Sequence, residues 1–194
     1  ILIAVDTPHM MECNGRYNEG KNRVSLITEF FRESLNAESD EKLIMLIPLK
    51  CEKYFHEKRI EEVTKRVKDT YRELLTFLRD RDNENGLKGK FACVIAPILT
   101  AGEIVFDRFE TVNGEIEEVV DETGTSVPAK VVYRYLRAGA KYAPQFCEQP
   151  LFYLLAFVSK QYLKIKDAKA SSGMLPKIKK LFELTPHTNQ MLME

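Results

Sequence analysis

The chain has 194 residues, 44% of them hydrophobic, which is enough to build one core without a disulfide or metal staple. Lysine plus arginine and aspartate plus glutamate both number 29, so no net field draws the whole chain to nucleic acid or to an anionic membrane. No apolar run approaches the roughly 20 residues of a membrane span, no signal-peptide pattern opens the chain, and Cys13, Cys51, Cys93 and Cys147 are scattered without zinc spacing, so a reducing cytoplasm is the expected setting.

Ile1 to Val5 form a continuous apolar run stopped by Asp6-Thr7-Pro8, the pattern of a strand buried on both faces. The chain thus opens inside a strand, and further sequence is expected upstream. Pro8 to Lys21, rich in glycine, asparagine and charge, reads as a long functional loop. Val24, Ile27, Phe31 and Leu35 share one helical face. Leu43 to Ile47, closed by Pro48, predict a second central strand. From Glu57 to Arg81 the positions Ile60, Val63, Val67, Tyr71, Leu74 and Leu78 keep helical spacing and predict one long helix. Phe91 to Ala96, closed by Pro97, give a third buried strand.

Short apolar strands alternating with amphipathic helices predict an α/β fold, a mostly parallel open sheet with helices on both faces. After Thr100 the pattern changes. Ile104, Phe106 and Phe109 alternate with polar residues, Asn113-Gly114 signals a hairpin, and Glu115 to Asp121 and Ala129 to Leu136 read as further strands. This antiparallel insertion spans about residues 102–149, and its apolar positions, Tyr133 among them, are expected to cover the domain's own sheet. Pro150 can open a last helix whose stripe of Leu151, Leu154, Leu155, Val158 and Tyr162 is expected to close the sheet. One domain over residues 1–165 and a tail over 166–194, with a short helix around Ile178, Leu181, Phe182 and Leu184, complete the organisation.

Ligands of open α/β sheets sit beyond the carboxyl ends of the strands. Here those ends are Asp6-Thr7-Pro8, Leu49-Lys50-Cys51-Glu52 and Ile98-Leu99-Thr100. Strand, Asp-Thr-Pro, helix, strand, Leu-Lys-Cys-Glu, long helix, strand and Ala-Pro-Ile-Leu-Thr follow the order of the later motifs of a GTPase. In this the chain resembles the TRAFAC (translation-factor-related and Ras-like) class of P-loop GTPases over about residues 1–100 and the closing helix.

The resemblance implies a guanine-nucleotide-binding switch that takes GTP or GDP with Mg2+. It places Asp6 at the acid that holds the cation, His9 near the position of a water-orienting histidine, Lys50 and Glu52 at the lysine and acid that read guanine, and Ala96 and Thr100 beside the third base-contacting loop. The chain departs from the pattern where His9 and Met10 replace the glycine after Asp6 and where Leu49 replaces an asparagine. No Gly-x-x-x-x-Gly-Lys-Ser/Thr occurs, so GTP hydrolysis is expected only with a phosphate loop supplied from elsewhere. Two bland readings stand beside this: an aspartate after a strand is often a helix cap, and Lys50, Glu52 and Lys53 can form a solvated loop. The alternative function is a pseudo-GTPase or Rossmann-like module that recruits a protein partner through the insertion.

Overall fold

The computed structural model describes residues 1–35, 41–84 and 90–167. Three strands, β1 (Leu2–Asp6), β2 (Lys42–Leu49) and β3 (Phe91–Ile95), lie side by side in that order and in parallel. The register runs from Leu2↔Met45 to Asp6↔Leu49 on one side of β2 and from Lys42↔Phe91 to Leu46↔Ile95 on the other. β2 is buried along nearly its whole length, as a central parallel strand requires.

One face of the sheet carries Ile3, Val5, Ile44 and Leu46 and packs on the crossover helices α3 (Val24–Ser34), α5 (Ile60–Thr70) and α6 (Arg72–Glu84). The other face carries Leu43, Met45, Ile47 and Val94 and packs on Tyr153 and Phe157 of α7 (Gln149–Asp167). The fold is therefore mixed α/β, with a three-stranded parallel sheet between helices.

Four local expectations are corrected. The stretch after Asp6 is not an open loop but three short turns of helix, α1 (Thr7–Met11), a 3-10 turn (Glu12–Gly15) and α2 (Asn18–Asn22). Asp6 caps α1 and Pro8 lies in its first turn, where a missing N–H costs nothing. The long helix expected over 57–81 is bent at Tyr71, which joins α5 to α6; the bonds Tyr71 N–H to Val67 O and Leu75 N–H to Tyr71 O, both 2.9 Å, carry the ladder across the bend. Val63, Val67, Tyr71, Leu74 and Leu78 are all at most 1% exposed, so the core-facing stripe survives it.

The third correction concerns α7. The stripe expected to close the sheet faces outward, with Leu151 54%, Leu155 48% and Val158 53% exposed, while Tyr153 and Phe157 face the strands. Between Leu151 and Val158 the helix is apolar on both sides, so its periodicity alone does not say which side is inward. The tail helix expected near Ile178 lies outside the described residues.

The insertion follows the predicted antiparallel pattern. β4 (Ile104–Phe109) pairs with β9 (Val131–Tyr135), β5 (Thr111–Val112) with β6 (Glu115–Ile116), and β7 (Glu118–Val120) with β8 (Ser126–Pro128). The hairpin turn falls on Asn113-Gly114, both at positive φ, as a tight hairpin turn demands. A register shift between Phe106 and Arg108 is the bulge that turns Phe106 and Phe109, three residues apart, to the same buried side. With Tyr17 they form a small separate core. Tyr133 and Tyr135, by contrast, are 40% and 66% exposed, so Tyr133 does not cover the sheet as expected.

Candidate functional site

The site is assembled where β1 and β2 end abreast. The pairing Asp6↔Leu49 leaves Lys50, the next residue, beside the Asp6 side chain, and Lys50 Nζ donates to Asp6 Oδ2 at 2.6 Å. Lys50 reaches this position with φ at 60°, a left-handed backbone that costs a non-glycine residue energy and that collects at functional sites. The other oxygen, Asp6 Oδ1, caps α1 by accepting the His9 N–H at 3.3 Å and also faces His9 Nδ1 at 2.6 Å.

Asp6 itself is fixed by Asn22. The Asp6 N–H donates to Asn22 Oδ1 at 2.7 Å, and Asn22 Nδ2 donates back to the Asp6 carbonyl at 3.2 Å and to Asn18 Oδ1 at 2.9 Å. A side-chain amide thus stands in for a neighbouring strand at the end of β1, satisfying both backbone groups. Burial pushes the Asp6 carboxyl up, but the hydrogen bonds and charges of His9 and Lys50 outweigh it and hold the carboxyl down at about 2. Burial also works against the charge of Lys50, and the bond to Asp6 overcomes it and raises the ammonium.

Beyond Lys50, Cys51 is fully buried, 3.3 Å from Thr7 Oγ1 and 3.3 Å from the Pro48 carbonyl. Burial pushes its thiol up to about 12, which makes it a packing group rather than a nucleophile. Glu52 opens α4 (Glu52–His56) and is 1% exposed. Its Oε1 accepts the Thr100 hydroxyl at 3.2 Å and the Ala101 N–H at 2.5 Å, so it ties α4 to the loop after β3. The Ala96 N–H, expected to serve a ligand, bonds instead to the Leu46 carbonyl at 3.0 Å.

The predicted residues therefore fall into two adjoining groups, Asp6 with His9 and Lys50, and Glu52 with Thr100, while Ala96 belongs to the sheet.

Contacts that no sequence motif announced cover this rim. Phe109 stands 5.1 Å from the His9 ring, centroid to centroid. Lys53 Nζ lies 5.2 Å from the Phe106 ring centre and 2.7 Å from Glu12 Oε1, which also accepts the Tyr54 hydroxyl at 2.8 Å. Tyr133 lies close enough to Lys50 to favour its charge. The β4–β9 ribbon thus lies over the carboxyl ends of β1 and β2.

Tyr17 touches both parts of the insertion, its ring meeting Phe109 of β4 edge-on and its hydroxyl donating to Glu118 of β7 at 2.7 Å. Only the loop's polar, glycine-rich composition hinted at Glu12, Tyr17 and Asn22. Among the described residues, no three His, Cys, Asp or Glu side chains gather as metal ligands do, and no helix is long and apolar enough to cross a membrane. Chemically, the rim presents one ion-paired carboxylate, an oriented imidazole, and a strained lysine whose side chain is 33% exposed. No protein-family model, curated protein or solved structure matches the chain.

Proposed function

We propose that the chain is a GTPase-like guanine-nucleotide-binding switch domain whose phosphate loop is supplied by sequence beyond these 194 residues, with GTP hydrolysis reserved for the joined protein. The observation that carries the proposal is the meeting of Asp6 and Lys50. They come from two separate motifs, 44 positions apart, and stand at the carboxyl rim of a parallel sheet, where open α/β proteins take their ligands. The strained backbone of Lys50 supports the same reading.

A guanine nucleotide over which Lys50 packs draws its ammonium from Asp6, so ligand entry and rupture of this ion pair are one event. His9 spends Nδ1 on Asp6, which leaves Nε2 for a water. Mg2+ does not fit the rim in this arrangement, because His9 and Lys50 take both oxygens of Asp6; no step of the reading runs through the cation. Glu52 is 1% exposed, so base reading likewise requires its carboxylate to be uncovered.

A specific observation favours the second reading, a non-catalytic interaction module. The two acids of the rim, Asp6 and Glu52, are already satisfied within the chain, and the ribbon covers them. Backbone amide resonances separate the two readings when the chain is titrated with guanine and adenine nucleotides. The switch reading expects weak binding with shifts at Lys50, Thr100 and Ala101 that guanine nucleotides cause and ATP does not. Equal shifts with both, or none at the rim, refute it and leave the module.

A further inference from the structure

Opposite the sheet-facing Tyr153 and Phe157, α7 presents Leu151, Leu155 and Val158, spaced four and three residues apart and about half exposed. At 100° per residue these three share one line. Phe152 and Leu154, 39% and 44% exposed, flank it. A helix apolar all round is ordinarily covered on every side, and isolated exposed hydrophobics are common while a contiguous patch is not.

We propose that this face of α7 is where a second copy of the chain docks, the two helices packing antiparallel across a two-fold axis near Leu155. Three arguments select a second copy. A two-fold contact lays a surface on itself, so the surface must tolerate its own charge. No charged residue occurs from Gln149 to Ser159, and self-pairing therefore brings no like charges together.

The spacing of the stripe is the seam along which two helices interlock side chains, and the antiparallel arrangement sets the helix dipoles head to tail. The area also fits a specific kind of contact. Five large side chains roughly half exposed offer on the order of 400–500 Å2 per copy, so the pair buries about 900 Å2, the size of a weak and reversible interface rather than an obligate one. The contact is independent of what the rim binds.

Sedimentation of the full 194-residue chain over a concentration series tests the inference. The mass is expected to rise reversibly from one chain to two. Leu155→Glu places two carboxylates against each other at the axis and is expected to weaken the dimer by about tenfold or more, while the unfolding midpoint, set by the inward face, stays put. Mixing Leu155→Glu with Leu155→Lys chains is expected to restore the pairing. A mass of one chain at every concentration overturns the proposal, and so does a dimer that Leu155→Glu leaves intact. A chain ending at Asp167 that dimerises while the full chain does not also overturns it, by showing that residues 168–194 occupy the face.

Discussion

Asp6→Asn separates the charge of the rim from its shape. The amide keeps an oxygen to cap α1 and fills the same space, but it carries no charge for Lys50 and His9 to pair with. The Asp6 carboxyl is held down from 3.8 to about 2, and its side chain is only 10% exposed, so little of the effect is lost to solvent. At about 1.4 kcal/mol per unit, the charge contributes on the order of 2 kcal/mol to stability.

The sign follows from the depressed value. The unfolded chain takes up the proton first, so the contribution is complete above the unfolded value near 3.8 and fades as pH falls toward about 2. Urea unfolding of parent and Asp6→Asn is therefore expected to differ by roughly 2 kcal/mol at neutral pH, with the gap closing between about pH 4 and pH 2. A gap below about 0.5 kcal/mol at neutral pH, within the range of ordinary surface changes, refutes the ion-pair account. A gap that does not change with pH refutes it as well.

Tyr71 is fully buried and its hydroxyl has no hydrogen-bond partner among the described residues, so Tyr71→Phe is expected to stabilise by roughly 1 kcal/mol in the same unfolding assay. At Gly20 an added Cβ would stand 2.7 Å from Val127 Cγ1 and 2.8 Å from Thr125 Cγ2. Gly20→Ala should therefore cost about 1–3 kcal/mol and speed proteolysis of the β7–β8 hairpin that α2 supports. Phe106, 3% exposed, and Tyr133, 40% exposed, form a matched pair: truncation to alanine should cost roughly 3–5 kcal/mol at Phe106 and far less at Tyr133. Equal losses in thermal unfolding at the two positions would show that the ribbon's outer face is packed after all.

The sequence makes Asp6 and Lys50 legible as members of one rim for a physical reason. Short apolar strands bounded by polar turn residues must run parallel when helices separate them, and parallel strands of similar length end on one rim. Periodicity fails where both sides of an element are apolar. Residues 151–158 of α7 contain both Tyr153 with Phe157 and Leu151 with Leu155 and Val158, and local spacing cannot choose between the two stripes.

Phe106 and Phe109 share one buried side as expected, but the bulge that turns Phe109 inward comes from pairing with β9 and not from the spacing of β4 itself. The cover of the rim is less legible still, since it depends on contacts such as Tyr17 with Glu118, 101 positions apart.

These long-range contacts decide how the rim behaves. Asp6 bonds both Lys50 and His9, and Phe109 of the ribbon stands against the His9 ring, so a ligand that takes the lysine disturbs an ion pair whose other partner the ribbon touches. The ribbon is in turn fastened to the segment after β1 through Tyr17, which meets Phe109 and Glu118, and that same segment supplies Asn22 to the backbone of Asp6. Asp6 is thereby held from two sides, through its carboxylate by Lys50 and through its peptide groups by Asn22. On the proposed switch reading, a ligand that takes Lys50 removes the first of these anchors while Asn22 keeps the second.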